Sequence, residues 1–344
     1  MISILLALLV TASATSTTFP GAQPQLAAVG SDLYVTFGRG DRLSVARSTD
    51  GGASFAAPVT LPGGGTLSLG MHRGPRMAGT ARSLLVSAVI GKKGGGADGD
   101  VVLFRSADRG ATWTTPTTIN DIPGSAREGL HAMGAGPSGL VVVAWLDLRQ
   151  GGTRLYAAVS RDHGVTWAED VLVYASPGGA ICECCHPSIA ISATGELAFM
   201  FRNNVDGNRD MYVTRSTDGR TFSPAVKLGT NSWLLDACPM DGGALTFEGR
   251  DVVATWRREN DVYLSTSTDP ELRVARGRDP VVAQAGKHRD LVWTSADGVN
   301  LRQGGLVTAV LGPGRFPSLL ALPTATVVAW EHQGQVIVQR LARR

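Results

Sequence analysis

The chain has 344 residues, 43 of them glycine, with 6% aromatic residues and a formal net charge of +3. So small a charge, without a basic run or an interleaved aromatic stripe, excludes the features typical of a nucleic-acid-binding protein. Sustained 3.6-residue apolar periodicity is almost lacking, so we predict one all-β domain over residues 15–344.

The N-terminal segment carries an apolar run at residues 4–10, followed by Ala12-Ser13-Ala14. This pattern is typical of a secretory signal peptide, although no Lys or Arg precedes the run. The run is too short to span a bilayer. We therefore predict a signal peptide at residues 1–14, export to the periplasm or the medium, and no membrane span.

A short phrase recurs along the chain. Residues 48–55 read Ser-Thr-Asp-Gly-Gly-Ala-Ser-Phe, and related phrases occupy residues 106–113, 160–167 and, one residue shorter, 216–222. Aspartate, glycine, Ser/Thr and a terminal aromatic together predict a self-closing hairpin turn. The aspartates Asp50, Asp108, Asp162 and Asp218 are 58, 54 and 56 residues apart. That repeat is as long as a propeller blade of four antiparallel strands.

Each repeat offers four short strands, A to D, with the Asp-bearing phrase at the C–D turn. The predicted strands of the third to fifth units are 130–135, 140–146, 154–160 and 167–174; 187–192, 195–202, 210–216 and 222–228; and 243–248, 251–257 and 261–267. B-strand patterns recur at residues 291–294 and 326–330, which favours seven blades. Six blades is the alternative, because the units after residue 280 are short.

In the last unit, too few residues follow the C strand, residues 335–341, to form a D strand. We predict that residues 17–23 supply its missing outer strand, because such closure removes an exposed sheet edge.

The strand polarity of such a sheet places the D–A crossovers and the B–C loops on one face, opposite the Asp-bearing turns. We predict crossovers at residues 71–77, 127–133, 182–187, 236–241 and 287–290, which hold all four cysteines and four of the six histidines. Because innermost strands border the central channel, a functional site is expected at the channel mouth on this face.

The soft ligands of this face come from three neighbouring units. The predicted metal ligands are Cys182, Cys184, Cys185, His186, Cys238, Met240 and His131. Thiolate, thioether and imidazole groups suit a soft metal such as copper, or zinc. The alternatives are two disulfides, which four cysteines in an exported protein usually form, and a free or redox-active thiol. Three cysteines within four residues are poorly placed to pair with one another.

The Ser-x-Asp-x-Gly-x-Thr-Trp phrase is similar to the Asp-box (BNR repeat) of the sialidase superfamily, and the resemblance covers residues 23–267. It implies a β-propeller and, as an alternative function, an exo-acting glycoside hydrolase of the sialidase type. The family's Phe/Tyr-Arg-Ile-Pro signature is missing, since Phe19-Pro20-Gly21 contains no Arg.

Catalytic residues follow from this resemblance only as candidates. The family's three carboxylate-binding arginines would correspond to Arg73, Arg202 and Arg257, and its nucleophile to Tyr174. Its partner glutamate would be Glu128 or Glu259, and its acid/base Asp147.

Residues 182–187, Cys-Glu-Cys-Cys-His-Pro, also resemble a group of exported bacterial Asp-box proteins labelled sialidase-like. This cluster is not part of the usual sialidase machinery, and a fold does not settle a function. The sequence thus predicts an exported propeller that binds a soft metal. The alternatives are a sialidase-type hydrolase and a disulfide-stapled scaffold that binds an anionic glycan, a small molecule or a protein.

Overall fold

The computed structural model describes residues 15–305 and 307–343. It is all-β, with seven blades of antiparallel strands, and the seven-blade prediction is confirmed while the six-blade alternative is wrong. A single 3-10 turn at Pro137–Gly139 is the one helical element of these residues. Within the described ranges, no helix is long and apolar enough to cross a membrane. The predicted signal peptide at residues 1–14 lies outside them.

Strand β1 (Thr15–Pro20) precedes the first blade. Blades 1 to 4 follow in chain order, with these strands: β2 (Ala22–Val29), β3 (Asp32–Arg39), β4 (Arg42–Ser48) and β5 (Val59–Thr60); β6 (Thr66–Leu67), β7 (Arg76–Gly79), β8 (Leu84–Gly91), β9 (Asp100–Ser106) and β10 (Thr117–Thr118); β11 (His131–Ala135), β12 (Val141–Asp147), β13 (Arg154–Ser160) and β14 (Val171–Tyr174); β15 (Ser188–Ile191), β16 (Leu197–Arg202), β17 (Met211–Ser216) and β18 (Val226–Lys227). In blade 2, β6 and β7 both pair with β8.

Blades 5 to 7 complete the ring. Their strands are β19 (Ala244–Glu248), β20 (Asp251–Arg258), β21 (Asp261–Ser265) and β22 (Leu272–Arg276); β23 (Arg278–Ala285), β24 (His288–Ser295), β25 (Gly298–Gln303) and β26 (Val307–Gly312); β27 (Arg315–Ala321), β28 (Ala325–His332) and β29 (Gln335–Ala342). The innermost strands of blades 1 to 7 are β2, β7, β11, β15, β19, β23 and β27.

The ring closes through the N-terminal strand. β1 pairs antiparallel with β29, from Thr15 opposite Arg340 to Pro20 opposite Gln335. The ring of Phe19 stacks on that of Phe37 in blade 1, with centroids 5.3 Å apart, so the strand joins blade 7 to blade 1. The prediction that the N-terminal segment supplies the missing outer strand is confirmed, over residues 15–20 rather than 17–23.

The outer strands are shorter than predicted. The fourth strand of blade 3 begins at Val171 and that of blade 4 at Val226, whereas the sequence pattern started both at the aromatic residue of the Asp-bearing phrase. Trp167 instead belongs to the turn and packs against the core between blades 2 and 3. The turn therefore takes the first residues of the strand.

One predicted crossover is wrong. Residues 287–290 lie at the hairpin between β23 and β24, where Ala285 pairs with His288, and so on the face of the A–B turns. The inner strand of blade 6 begins earlier, at Arg278. Gly286, at φ +57°, provides the left-handed turn that reverses the chain before His288.

The Asp-bearing turns are closed by their own hydrogen bonds. In the third copy, Asp162 Oδ1 accepts from the Thr166 amide at 2.9 Å, and Oδ2 accepts from the Thr166 hydroxyl at 2.6 Å. Ser160 Oγ donates to Asp162 at 2.8 Å and accepts from the Gly164 amide at 2.9 Å. The hydrogen bonds from Thr166 lower the pKa of Asp162 to about 2. The turns on this face resemble one another, whereas the loops on the opposite face differ from blade to blade.

Candidate functional site

The cysteine loop, residues 175–187, joins blade 3 to blade 4 on the face opposite the Asp-bearing turns. Its start is held by two backbone bonds, from the Ile181 amide to Thr153 O and from the Cys182 amide to Arg202 O, both at 2.9 Å. These bonds tie the loop to both blades. Cys182, Cys184 and Cys185 are consequently buried rather than exposed on a surface loop.

The three buried thiols form one compact group. The Sγ of Cys182 lies 3.5 Å from the Sγ of Cys184 and 3.5 Å from that of Cys185. All three sulfurs lie within 4.8 Å of one another. Each cysteine of the described residues is a free thiol. The structure therefore brings together three of the four cysteines that the sequence singled out.

The pKa values of the three thiols are shifted in opposite directions. Hydrogen bonding with Cys184 and Cys185 lowers the pKa of Cys182, and the nearby positive charge of Arg202 lowers it further. The same hydrogen bonds raise the pKa of Cys184, while burial raises that of Cys185. Cys182 therefore ionises more readily than Cys184 and Cys185.

Arg202 is a buried cation bound by carbonyl groups. It is 1% exposed, and its guanidinium donates to Asp241 O, Arg209 O and Arg257 O at 2.6 to 3.2 Å. Its Cζ also lies 5.4 Å from the centre of the Trp233 ring. These four bonds leave one of the five guanidinium N–H donors for the carboxylate that a sialidase-type arginine would bind.

The other predicted metal ligands differ in their surroundings. Met240 packs against the three cysteines, whereas Cys238 is exposed. His186 Nε2 lies 3.2 Å from Gly243 O. His131 is fully buried in blade 3, with Nε2 3.0 Å from Ser87 Oγ, and burial lowers its pKa to about 3. The structure groups Met240 with the sulfurs and gives both histidines other partners.

Asp147, the predicted acid/base, is part of a buried ion-pair network. Its carboxylate accepts from the Trp145 indole at 2.8 Å and from Arg149 at 2.8 and 2.9 Å. Arg149 also pairs with Asp170, whose pKa is raised by burial. Such a network holds the start of the B–C loop of blade 3 in place.

Arg73 and Glu128 lie together, between blades 2 and 3. Arg73 Nε donates to the backbone oxygen of Glu128 at 2.6 Å. Burial raises the pKa of the Glu128 carboxyl, and Arg127 lies 3.7 Å from it. Besides the Asp147 network, this pair is a second partly buried charged group, and it lies near the crossover from blade 2 to blade 3.

The remaining predicted catalytic residues also have structural partners. Tyr174 Oη accepts from Asn203 Nδ2 at 2.9 Å, and its ring lies 4.5 Å from that of Phe201. Arg257 donates to Glu259 O at 2.5 Å and lies 5.5 Å from the Trp233 ring, while Glu259 is exposed. Arg202 and Arg257 thus share one aromatic ring, while Arg73 lies with Glu128.

The central channel forms a pocket of about 210 Å³ bordered by all seven inner strands. It contains His72 and Asp279, which the sequence analysis did not select as site residues. His72 Nε2 lies 3.0 Å from Asp279 Oδ1, and the His72 ring stacks on that of His186 at 4.6 Å. The Phe316 ring packs edge-on against His72 at 4.7 Å.

Two aspartates at the channel have opposite pKa shifts. Burial raises the pKa of Asp241, and the charge of Asp279 adds to the increase. Burial is the largest influence on Asp279 and opposes its ionisation, but the hydrogen bonds and charges of His72 and Arg278 together lower its pKa. The Asp279 amide donates to Asp241 Oδ2 at 2.8 Å. The two neighbouring carboxyls therefore differ in how readily they ionise.

Three residues that line the channel share one sequence feature, a following proline. Gln23, Asp279 and Phe316 each precede a proline at the third position of an inner strand, and each has a φ near +52°. The strand pairing shifts register at all three places. Left-handed backbone at a residue other than glycine is costly and clusters at functional sites.

Comparisons with known proteins agree with this architecture. Residues 76–234 match the BNR repeat-like domain. A search of curated proteins gave no match. Among solved structures, an α-L-arabinanase of Penicillium chrysogenum in complex with arabinobiose is similar at 12% identity, with 94% of this chain and 93% of that chain covered and a TM-score of 0.56.

Two sialidases are similar in fold as well. A Hadza microbial sialidase is 16% identical, with 93% of this chain and 65% of that chain covered and a TM-score of 0.56. A Trypanosoma rangeli sialidase in complex with the inhibitor DANA is 16% identical, with 93% and 55% covered and a TM-score of 0.52. This chain therefore spans less than two thirds of either sialidase. Identities this low show a shared fold and no more.

Proposed function

We propose that this seven-bladed BNR-repeat propeller binds one soft metal ion, copper(I), through Cys182, Cys184 and Cys185. The observation that carries the proposal is the group of three buried, unpaired thiols whose sulfurs lie within 4.8 Å of one another. Thiolate ligands select copper(I) and zinc over harder cations.

The sulfur separations support a shared ion. Three sulfurs that each lie about 2.3 Å from one ion are about 3.8 to 4.0 Å apart, whereas a disulfide needs about 2.05 Å. The two separations of 3.5 Å from Cys182 are much closer to the first geometry. A displacement of a few tenths of an ångström per sulfur would admit the metal.

The ligand set favours copper(I) over zinc. Structural zinc almost always has four ligands from cysteine, histidine or carboxylate groups. The described residues that could coordinate form a group of three thiols, and the side chain packed against them is the thioether of Met240. A thioether is a soft ligand that suits copper(I). Metal analysis would distinguish copper(I) from zinc bound with a fourth ligand.

In the proposed compartment, whether the thiols are reduced or oxidised indicates whether they bind a metal. We propose that the protein is exported to the periplasm or the medium, on the basis of residues 1–14. Thiols tend to oxidise in such compartments, and metal coordination would keep these three reduced. A count of free thiols therefore separates metal binding from the disulfide-stapled alternative.

The test is metal analysis of protein purified without chelators, together with a thiol count after denaturation. We expect one copper per chain and loss of the metal in Cys184→Ser. Cys238→Ser is the matched control, because Cys238 is exposed and lies outside the three-sulfur group. Two intact disulfides with no metal would overturn the proposal. Loss of the metal in Cys238→Ser would instead favour the four-cysteine site predicted from the sequence.

A second candidate function is glycoside hydrolysis in the central channel. It is favoured by Asp279, which lines the channel pocket, and by Asp241, which is buried beside it, because carboxyls with divergent pKa values can serve as acid and base. The similar structures include an arabinanase and sialidases, so an anionic or neutral glycan is the proposed substrate class. This hypothesis replaces Asp147 as the acid/base residue with Asp279.

Release of a fluorophore from a sialic-acid glycoside, and cleavage of arabinobiose, would test the hydrolase. We expect activity to fall at least a hundredfold in Asp279→Asn, in keeping with the loss of general acid–base catalysis. Asp147→Asn should lose stability more than turnover. Wild-type protein that cleaves neither substrate, or Asp279→Asn that retains full turnover, would count against the hypothesis.

A further inference from the structure

A pocket at the junction of blades 5 and 6 lies outside the thiol group and the central channel. It has a volume of about 610 Å³ and opens on the face of the crossovers, between the ends of β20, β22 and β24. The residues that matter here are Arg257, Arg276, Arg278, Trp293, Thr294 and Asn300.

Gly277 brings two of these arginines to the pocket. Arg276 ends the outer strand of blade 5, and Arg278 begins the inner strand of blade 6. A Cβ on Gly277 would lie 2.6 Å from the Trp293 ring and 2.5 Å from Thr294 O, and its φ is +156°. Only glycine allows the crossover to pass this close to β24. The two arginines on either side of it therefore line one cavity.

The pocket has more positive than negative charge. Arg278 is half exposed and lies 3.4 Å from Asp279 Oδ1, while Arg257 directs two of its donors to the backbone oxygens of Glu259 and Pro239. Arg276 faces Asp261 in the strand ladder, but the Asp261 carboxylate accepts from Arg273 at 2.8 Å.

Few acidic groups face these guanidinium groups. Asp297 is the one carboxylate among the described residues that line the pocket. Asp241 and Asp279 lie near Arg257 on the channel side, and Arg202 adds a further positive charge there. Three arginines thus border a cavity that contains one acidic side chain.

The uncharged residues of the lining offer further polar contacts. Thr294 is 8% exposed, and its hydroxyl has no hydrogen-bond partner in the part of the chain that the structure describes. Asn300 donates to Ser295 Oγ and to Gly298 O through Nδ2, which leaves its side-chain oxygen for a ligand. Trp293 supplies an apolar wall.

We propose that this pocket binds the oxyanion group, a carboxylate or a phosphate, of a small ligand. Arg276 and Arg278 would bind the oxyanion through charge-assisted hydrogen bonds, for which the planar guanidinium is well suited. The indole of Trp293 and the Asn300 side chain would contact the remainder of the ligand. This site uses none of the three cysteines and is separate from the proposed metal centre.

Isothermal titration calorimetry at low ionic strength tests the proposal with inorganic phosphate, D-glucuronate and D-glucose as probes. We expect phosphate or glucuronate to bind and glucose not to bind. Arg276→Gln and Arg278→Gln should each weaken binding about tenfold, as expected for the loss of a charge-assisted hydrogen bond. Binding of glucuronate in preference to phosphate would identify an organic acid as the ligand type, and the reverse would identify a phosphate.

Arg250→Gln is the matched control. Arg250 is exposed, lies at the turn between β19 and β20, and does not line the pocket. Its substitution should leave binding within about twofold, because it alters general charge but not the site. Equal losses in all three variants, or no binding of either anion, would overturn the proposal. The metal content should not change in any of them, so the result is independent of the thiol centre.

Discussion

The two faces of the disc satisfy their polar groups differently. On the face of the Asp-bearing turns, four loops of similar sequence close on themselves, and Asp50, Asp108 and Asp162 each accept hydrogen bonds within five residues. On the opposite face every crossover differs. Its loops are held by bonds between blades, such as those from Arg202 to Asp241 O and Arg257 O, and it contains the three thiols. A loop that satisfies itself can be repeated, whereas these crossovers depend on other blades or on ligands.

The strongest test of that dependence is Arg202→Met. Removing the guanidinium leaves Asp241 O, Arg209 O and Arg257 O without their donor in a buried site. Each buried carbonyl that loses its partner costs about 1 kcal/mol or more, so we expect the free energy of unfolding to fall by at least about 3 kcal/mol. Urea unfolding monitored by tryptophan fluorescence would measure it.

Arg220→Met provides the comparison on the turn face. Arg220 is exposed and follows Asp218 in the fourth turn, with no ion pair among the described residues. Its substitution should change the free energy of unfolding by no more than about 0.5 kcal/mol. If the two variants lost the same stability, the proposed difference between the faces would be wrong.

A second test concerns how closely the crossovers approach one another. Gly242 is buried, and a Cβ there would overlap the backbone oxygen of His186 in the cysteine loop. Gly242→Ala should therefore push the two crossovers apart and lower the free energy of unfolding by about 2 to 3 kcal/mol. Because the cysteine loop moves, reactivity of the buried thiols toward a thiol reagent should rise as well.

Gly64→Ala is the matched control for that substitution. Gly64 is exposed, and a Cβ there would have one heavy atom within 4 Å, Pro116 Cγ at 3.4 Å. The free energy of unfolding of this variant should stay within about 0.5 kcal/mol of that of the wild type. Unchanged thiol reactivity in Gly242→Ala would show that the loops do not support each other.

The same contrast explains what the sequence could predict. Blade number, strand order and ring closure followed from the Asp-bearing phrase and the B-strand pattern, because local hydrogen bonding fixes both residue type and spacing. The inner strand of blade 6 was missed. It begins with Arg278, Asp279 and Pro280 at a register shift, and a strand pattern does not reveal left-handed backbone before a proline.

The functional site was predictable only in part. The sequence selected the cysteine loop, but it could not distinguish Met240, which packs against the sulfurs, from Cys238, which is exposed. The two residues lie two positions apart in a crossover without regular structure, and Met240 has a φ of +58°. Which side chain faces the thiols depends on contacts between blades 4 and 5, and no local pattern encodes those contacts.

The smallest expected effect is on the turn face, and it depends on pH. The hydrogen bonds from Thr166 hold the pKa of Asp162 at about 2, below the usual value of about 3.9 in an unfolded chain. A lowered pKa in the folded state gives stability that is fully present above about pH 4 and is lost as the pH falls toward 2. Asp162→Ala should lower the free energy of unfolding by about 1 kcal/mol at pH 7, since it removes local hydrogen bonds.

Urea unfolding of wild type and Asp162→Ala at pH 7, 4 and 2.5 would measure that dependence. We expect the difference between them to shrink between pH 4 and pH 2.5, because protonation of Asp162 weakens the same bonds in the wild type. Glu169→Gln is the control, as Glu169 is exposed and accepts no hydrogen bond from the described residues. A difference that stays constant with pH would mean that the turn is held by the bond between Ser160 and Gly164 rather than by the ionised Asp162, and the role given to the Asp162 carboxylate would be wrong.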